Sequence, residues 1–446
     1  MTVARHAHWS SRLGFVLAAA GSAVGLGNLW KFPYMVGQSG GAAFVAVYLA
    51  CILTIGLPIL VTEWMLGRRG QRNPVHTMAL LAAENRRGRG WVAIGIAGVL
   101  AAFLILSFYS VIGGWALAYV VRAAAGGFAG LGGEQSQDAF EALLASAGAL
   151  FGWHTAFMAL TVGIVALGVT RGIEAAARLL MPALVALLVV LIGYGVTTEG
   201  FAPTVTYLFR PDWSRLDIDV VLAAMGHAFF TLSLGMGIMM AYGSYLKPDV
   251  NLLTSAGGVI ALDTLIALGA GFVIFPIVFA HGLAPDSGPG LLFITLPVGF
   301  GAMDAGGLIG IAFFVLLSFA ALTSAISLIE PVVEFVEERS PFGRAGATVA
   351  VGLAGWLLGF AALLSFNHWQ HVQLAGYNVF DLLDHVTSTF LLPLTGFGAV
   401  VFAAWCLDRD SVRAELDLSP GGFRLWTLLT RYVTPAGVLV IFLASL

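Results

Sequence analysis

The most informative feature of this sequence is its shortage of charge. Only 10% of its 446 residues are Asp, Glu, Lys or Arg, whereas soluble globular proteins carry about 25%. Because 59% of the residues are hydrophobic and the mean hydropathy is +0.93, the chain has too little polar surface for a water-soluble fold. The composition therefore excludes a soluble domain and predicts a polytopic membrane protein whose main partner is the lipid bilayer.

Cysteine is nearly absent as well. Cys51 and Cys406 both lie in apolar runs, which predicts buried thiols and excludes a disulfide framework or a cysteine-based metal site. No strongly basic segment points to nucleic acid, so we expect no nucleic-acid partner and no obligate protein partner. Residues 1–12 lack the pattern of a cleavable signal peptide, so we expect the first apolar segment to be retained.

Long apolar runs, in contrast, are abundant. Segments of about 20 residues can cross the hydrocarbon core as helices, and eleven such spans are predicted. They cover residues 13–36, 42–67, 91–124, 153–170, 176–196, 218–243, 254–281, 305–337, 346–364, 385–406 and 425–445. Spans 4 and 5 are separated only by Arg171–Glu174.

Basic residues fall almost entirely on one side of these spans. If the N-terminus is cytoplasmic, 17 of the 21 lysines and arginines lie in inner segments. Arg122, Arg210 and Arg215 lie outside, and Lys31 falls within span 1. Because inner loops of membrane proteins are enriched in Lys and Arg, we expect an inner (plasma) membrane protein with a cytoplasmic N-terminus and an outer C-terminus.

The three longest outer segments, residues 125–150, 197–217 and 282–304, are predicted as loops. None is long enough to form a soluble domain with its own chemistry. The third contains the apolar run Leu291–Ile294, which predicts that it folds back against the protein.

Glycines interrupt spans 1 and 6 near their middles, in the runs GSAVGLGN (21–28) and FFTLSLGMG (229–237). Each helical glycine costs about 1 kcal/mol relative to alanine, and a membrane tolerates broken backbone only where protein, water or a ligand covers it. Close helix packing is the alternative explanation. Spans 1 and 6 begin two successive sets of five spans, and paired breaks in matching positions are typical of transporters built from an inverted repeat.

The motifs around these breaks are long and specific. The longest is AAGSAVGLGNLWKFPY (19–34), and the others are Trp9–Phe15, Gly40–Phe44, Pro58, Glu63–Trp64, the span 6 run, Leu322–Ala325 and Phe380–Asp384. Together they resemble the neurotransmitter:sodium symporter family over essentially the whole chain.

The resemblance implies an all-α LeuT-type fold, a 5+5 inverted repeat in which spans 1 and 6 are unwound. The first repeat would cover residues 13–196 and the second 218–406, with an additional helix at 425–445, all within one transmembrane domain of residues 1–446. Many members of the family have twelve spans, and this chain resembles a bacterial subgroup with eleven.

The function that the resemblance implies is sodium-coupled symport of a neutral, hydrophobic L-amino acid by alternating access, with two Na⁺ ions and no enzymatic activity. Another small amine (a short amino acid, taurine or a betaine) is the alternative substrate, and a substrate sensor or channel is the alternative function. An intramembrane enzyme is disfavoured because the outer-side histidines (His154, His281, His368 and His371) lack zinc-ligand spacing on a shared helix face.

Two sodium sites follow from the resemblance. The first consists of Ala23, Asn28, Thr231 and Asp263, completed by the substrate carboxylate, and the second of Gly21, Val24, Ala320, Thr323 and Ser324. Sodium is a hard cation that prefers oxygen ligands, and a lone intramembrane aspartate is costly and usually functional. Adjacent hydroxyls in a span more often bond their own i−4 carbonyls. Ala267 lies where some bacterial members carry a carboxylate in place of chloride, so chloride dependence stays open.

The substrate would be bound between these ions. The implied residues are Ser22, Ala23, Gly25, Leu26, Gly27, Ile105, Tyr109, Phe230, Thr231, Ser233, Met236, Ser324, Ser327 and Leu328. The Tyr109 hydroxyl and the N–H groups of Leu26 and Gly27 would bind the carboxylate. The mostly apolar lining, without a basic residue, predicts a neutral and fairly large side chain, although Ser22 and Ser327 leave a polar option.

Gates are implied on both sides of this site. The outer gate would consist of Lys31 and Asp384, with Tyr109 and Phe230 as its lid, and the inner gate of Arg5, Trp9, Ser244, Tyr245, Glu330 and Glu338. Lysine cannot form the bidentate pair of the arginine found in many relatives, and the Arg5–Trp9 spacing is one residue longer than in the family's best-known member.

Two further positions bear on the transport cycle. Gly172 and Pro182 match a motif that unwinds span 5, for which an ordinary kink is the alternative. His227 replaces a common glutamine and is either a proton site or a neutral hydrogen-bonding partner.

Overall fold

The computed structural model describes residues 7–286 and 288–445, and within these residues the chain is helical and forms no β-strand. Within the described residues nine helices are long and apolar enough to cross a membrane, the bent pair of span 1 makes a tenth, and two shorter helices lie at the place of predicted span 6. In chain order these make eleven segments. They are Arg12–Ala23 with Gly27–Gln38, Ala42–Gly70, Arg89–Ala124, Ala147–Ala166, Val169–Val196, Ile218–Thr231 with Ile238–Ser244, Leu252–Ala280, Gly306–Arg339, Arg344–Leu364, Val379–Cys406 and Pro420–Ala444. They correspond one to one with the predicted spans, and the all-α polytopic fold is confirmed.

The position predicted for the break between spans 4 and 5 is wrong. The chain turns at Leu167 and Gly168, and residues 171–174 already belong to the π-helix Val169–Glu174 that begins span 5. Gly168 has a φ of +92° and a ψ of −177°, a backbone conformation that is essentially restricted to glycine and that breaks the helix here. The sequence signal was the glycine, not the charged residues that follow it.

The segments predicted as outer loops contain helices. Gly133–Ala145, Phe201–Phe209 and Thr295–Gly301 are helical, and their short length hid them among glycines and acidic residues. Leu291, Leu292 and Phe293 are buried, so the third segment does fold back against the protein. The remaining short helices are Pro74–Glu84 between spans 2 and 3 and Arg409–Leu416 between spans 10 and 11.

The two broken spans lie at the centre of the bundle. The halves of span 1 are bent by 48° at residues 24–26, and span 6 is interrupted between Thr231 and Ile238. Span 8 has 72% of its most apolar stretch buried, whereas the corresponding value for span 11 is 22%. Span 8 is therefore a core helix beside the breaks, and span 11 lies at the periphery.

The ends of the spans define two faces. We call the face where span 1 begins (Arg12) and span 8 ends (Arg339) the basic side, and the face where span 1 ends (Gln38) and span 3 ends (Ala124) the opposite side. Because spans alternate in direction, the other span ends fall on one face or the other in turn.

Candidate functional site

A cavity of about 360 Å³ lies where the breaks of spans 1 and 6 meet spans 3 and 8. Thirteen of the fourteen predicted substrate-binding residues line it: Ser22, Ala23, Gly25, Leu26, Gly27, Ile105, Tyr109, Phe230, Thr231, Ser233, Met236, Ser324 and Leu328. The exception is Ser327, whose hydroxyl bonds the Thr323 carbonyl at 2.9 Å and the Tyr242 hydroxyl at 2.8 Å.

Hydrogen bonds beside this cavity join the break in span 6 to span 1 and to span 2. The Ser233 hydroxyl donates to the Ser22 carbonyl at 2.8 Å, and Ser233 has a φ of +53°, which is uncommon outside glycine. The Gly235 N–H donates to Glu63 Oε1 at 2.8 Å. Glu63 is 1% exposed, so span 2 supplies a buried carboxylate to a freed backbone group of span 6.

Glycine at position 25 is required by a close contact. A Cβ atom there would collide with the Ser324 hydroxyl and approach the Tyr109 hydroxyl to 3.0 Å. Tyr109 in turn accepts a hydrogen bond from the Leu26 N–H at 3.3 Å. The backbone of span 1 therefore approaches spans 3 and 8 closely, and only a residue without a side chain fits between them.

Asp263 of span 7 joins the predicted residues of the first sodium site. It is fully buried and accepts hydrogen bonds from Asn28 Nδ2 at 2.8 Å and from the Thr231 hydroxyl at 3.1 Å. Tyr48, which the sequence analysis did not include, also donates to the carboxylate at 3.3 Å. Asn28 Oδ1 accepts from the Gly25 N–H at 3.1 Å. The cluster thus connects spans 1, 2, 6 and 7 through one carboxylate.

The residues predicted for the second sodium site meet between spans 1, 5 and 8. The Thr323 hydroxyl donates to the Ala320 carbonyl at 3.0 Å, and the Ser324 hydroxyl to the Val24 carbonyl at 3.4 Å. Gly21 and Thr323 line a small cavity of about 190 Å³ together with Ile173 and Ala177 of span 5. Each of the two predicted hydroxyls therefore donates to one of the predicted carbonyls.

The predicted outer-gate residues do not form their ion pair in this conformation. No oxygen of Asp384 lies within 4.0 Å of the Lys31 ammonium in the described structure, and that ammonium lies 4.5 Å from the centre of the Phe230 ring. Asp384 instead accepts a hydrogen bond from Ser388 at 3.0 Å. Tyr109 and Phe230 both border the central cavity.

Aromatic contacts close the predicted inner gate on the basic side. The Trp9 indole N–H donates to the Tyr242 carbonyl at 3.0 Å, and the Trp9 backbone N–H to the Tyr245 carbonyl at 3.2 Å. The Trp9 ring meets those of Tyr242 and Tyr245 edge-on at 5.2 and 5.9 Å. Arg5 lies outside the described residues. The segment before span 1 is thus fastened to the end of span 6.

Charged residues complete this closure. Tyr245 donates to Glu330 at 2.6 Å, and both oxygens of Glu330 accept from Arg344, which sequence reasoning missed. Ser244 donates to Glu334 at 3.0 Å. Glu338 accepts from the Asn73 N–H at 2.8 Å and contacts His76 at 2.6 Å. Glu330 is fully buried, and the planar guanidinium of Arg344 matches both of its oxygens in a bidentate pair.

A second missed contact fastens the start of the chain to span 5. The Ser10 N–H and hydroxyl donate to Glu174 at 2.9 and 2.5 Å, and Arg178 donates to Glu174 at 2.6 Å. Gly172 lies two residues earlier in the π-helix, and Pro182 lies inside the following α-helix. The predicted unwinding motif is therefore helical here.

His227 lies among aromatic rings and not in a polar site. It is 1% exposed, its ring centre is 5.2 to 6.2 Å from those of Phe32, Phe44 and Tyr48, and neither ring nitrogen has a hydrogen-bond partner in the described structure. The two roles considered for it from the sequence both stay predictions.

Comparisons with known proteins agree with this architecture. The family model described as "Sodium:neurotransmitter symporter family" matches residues 6–129 and 139–446. The chain is 36% identical to the "Uncharacterized sodium-dependent transporter YhdH" of Bacillus subtilis, over 99% of this chain and 98% of that protein. It is 25% identical to the "Sodium- and chloride-dependent GABA transporter 2" of Homo sapiens, over 98% of this chain and 80% of that protein.

A solved structure has the same fold. The crystal structure of MhsT in complex with L-phenylalanine matches with a TM-score of 0.90 and 43% sequence identity, and the match covers 99% of this chain and all of that one.

Proposed function

Because the chain belongs to the sodium:neurotransmitter symporter family, we propose that it is a sodium-coupled symporter that imports a neutral, hydrophobic L-amino acid. Sodium-dependent transport is the family's activity, and the amino acid and its direction are the proposal. The observation that carries it is the cavity at which two broken spans meet. Thr231, which lines the cavity, bonds Asp263, and Ser324, which also lines it, follows Thr323 in span 8.

The cavity suits an α-amino acid. The Tyr109 hydroxyl and the N–H groups of Leu26 and Gly27 would bind the substrate carboxylate, since the start of a half-helix favours negative charge. The carbonyls of Ala23, Phe230 and Thr231 and the Ser233 hydroxyl would bind its ammonium group.

The lining around the substrate side chain is apolar. Ile105, Met236 and Leu328 line the cavity, and none of the described residues that line it is Asp, Glu, Lys or Arg. This favours a neutral hydrophobic side chain over taurine, a betaine or another small amine. MhsT, a structural relative, binds L-phenylalanine, which supports the same class of substrate.

Sodium would bind as a co-transported substrate at two places. At the first, Asp263, Thr231, Asn28 and the Ala23 carbonyl would surround the ion, and the substrate carboxylate would complete its coordination. The Asn28 amide would present its oxygen to the ion in place of its nitrogen. Because ion and substrate share a contact, each raises the affinity of the other by the same factor. At the second, Gly21, Val24, Ala320, Thr323 and Ser324 would hold another ion between spans 1 and 8.

Alternating access would follow from these contacts. The closed basic side, with Trp9 on Tyr242 and Tyr245 and Glu330 bound to Arg344, and the unpaired Lys31 and Asp384 fit a conformation prepared to load from the opposite side. Binding would draw spans 1 and 6 together and pair the outer gate. Release would require the contacts of Trp9 and Glu174 to break and span 5 to unwind between Gly172 and Pro182. This scheme places the basic side in the cytoplasm of a plasma-membrane protein.

A thermal-shift screen tests the assignment of the substrate. The purified protein is heated with each of the twenty amino acids, with taurine and with a betaine, in sodium and in potassium buffer. We expect stabilisation only by large hydrophobic amino acids and only in sodium, because a ligand that binds the folded state stabilises it by an amount that rises with the logarithm of its concentration over Kd. Stabilisation by taurine or a betaine alone would overturn the amino-acid proposal.

A further inference from the structure

A second cavity, distant from the transport site, opens on the basic side between the ends of spans 10 and 11. It has about 340 Å³ of space, counted to the open surface. Its lining combines two arginines with aromatic, aliphatic and hydroxyl side chains: Ala403, Ala404, Leu407, Arg409, Val412, Phe423, Trp426, Thr427, Thr430 and Arg431. The transport cycle described above uses none of these residues.

The two arginines lack a negative partner. In the described structure no carboxylate oxygen lies within 4.0 Å of the guanidinium of Arg409 or Arg431. Arg431 donates one N–H to the Ala404 carbonyl at 3.0 Å, a contact that is common for a cation at a helix C-terminus. A guanidinium has five N–H donors, so this bond leaves most of them available.

Aromatic rings fix the two guanidiniums in place. Arg409 lies 5.8 Å from the centre of the Phe423 ring, and Arg431 lies 5.1 Å from that of Trp405. Neither of the two neighbouring aspartates forms an ion pair with these guanidiniums in the described structure. Asp408 caps the helix Arg409–Leu416 through the Ser411 N–H at 2.9 Å, and Asp410 does not line the cavity.

The surface beside the cavity is apolar and faces outward. Leu425, Leu428 and Tyr432 of span 11 are 58%, 52% and 55% exposed, and their spacing places them on one face of the helix. Trp405 is 50% exposed and meets Tyr432 edge-on at 6.1 Å. Exposed tryptophan and tyrosine at the end of a span are typical of the membrane interface.

We propose that this cavity binds the phosphate headgroup of an anionic phospholipid, held between Arg409 and Arg431. Its acyl chains would run past Tyr432 toward Leu439 and Leu443, which are 46% and 59% exposed farther along span 11. The guanidiniums match the phosphate in charge and geometry, and the outward apolar face matches the chains. A soluble phosphate would use only the first half of this site. The proposal does not depend on which amino acid the protein transports.

The test uses the intact protein in nanodiscs of phosphatidylcholine with or without phosphatidylglycerol. Native mass spectrometry counts the phosphatidylglycerol molecules retained by the wild type, by Arg409→Gln, and by the double variant Arg409→Gln/Arg431→Gln. We expect retention by the wild type and a loss of about fivefold in relative affinity for each arginine removed, the typical contribution of one basic residue near an anionic membrane. Arg413→Gln, on the same short helix but outside the cavity, should retain the lipid as the wild type does.

Three results would overturn the proposal. Equal retention by the wild type and the double variant would remove the site, and an equal loss in Arg413→Gln would reduce it to general surface charge. If free glycerol phosphate competes as well as the lipid does, the site binds a soluble phosphate instead. The Arg409 side chain makes no hydrogen bond or ion pair within the described residues, so the single variant gives a readout even if removing Arg431 impairs folding.

Discussion

The Asn28 amide donates a 2.8 Å hydrogen bond to the Asp263 carboxylate, and this contact ties span 7 to the break in span 1. Asp263 also receives the Thr231 hydroxyl from the break in span 6. Both discontinuities of the bundle therefore meet one fully buried negative charge. In the proposed symporter the Asp263 carboxylate would bind a sodium ion. That ion would also contact the substrate carboxylate, so ion and substrate would bind together.

Replacing Asp263 by Asn should weaken sodium binding. The change keeps an oxygen ligand but removes the charge, so we expect the sodium concentration for half-maximal substrate binding to rise about tenfold, as for a coupling free energy of 1–3 kcal/mol. Scintillation proximity binding across a sodium titration measures it. Asp219→Asn, at the exposed start of span 6, is the control and should leave the curve unchanged; an unaltered curve for Asp263→Asn would refute the first site.

Thr323→Ala tests the second sodium site against a purely structural role. The Thr323 hydroxyl bonds carbonyls of its own helix, and so does Ser318 of the same span, whose hydroxyl bonds the Phe314 carbonyl at 2.7 Å. We expect Thr323→Ala to abolish sodium-dependent stabilisation and Ser318→Ala to preserve it. If both variants lose it equally, the hydroxyl at 323 is only a helix-internal partner.

A methyl group at position 25 should block the central cavity. Gly25→Ala would force the Ser324 and Tyr109 hydroxyls aside, so we expect the loss of substrate binding with the fold retained. Gly226→Ala in span 6 meets open space and should bind normally. Size-exclusion chromatography and binding assays on both variants decide the matter, and normal binding by Gly25→Ala would contradict the proposed position of the substrate.

Arg344→Gln should destabilise the closed basic side. It leaves the buried Glu330 without its cation, which typically costs 3–5 kcal/mol, and we expect a lower melting temperature and an inner side that is more accessible to thiol reagents. Combining it with Glu330→Gln should recover most of the loss, since no buried charge is then left unpaired. A double variant as unstable as Arg344→Gln would show that the pair is not the source of the effect.

The order of the spans and both breaks could be predicted because glycines and apolar runs are local signals. Thirteen residues of spans 1, 3, 6 and 8 that line the cavity were assigned through the resemblance to the symporter family. What the sequence did not predict depends on packing between distant segments. Arg344 follows Glu330 by fourteen positions, on the other side of a turn, and Glu63 reaches Gly235 from span 2. No periodicity or spacing reports such contacts.

Other differences arise from conformation. The Lys31–Asp384 pair was expected and is not formed in the described structure; in the proposed transport cycle it would form when the outer side closes. The turn at Gly168 was predicted three residues too late since the charges of Arg171–Glu174 lie inside a helix. The charged residues indicate the edge of the membrane, whereas the helix of span 4 ends before Gly168, which has a positive φ.

The most direct test of the account is uptake of a radiolabelled hydrophobic amino acid such as L-phenylalanine into proteoliposomes in which a sodium gradient is the only driving force. We predict accumulation that disappears when potassium replaces sodium and when the gradient is collapsed, and that is lost in the Thr323→Ala variant. Uptake that is indifferent to sodium would contradict sodium-coupled symport.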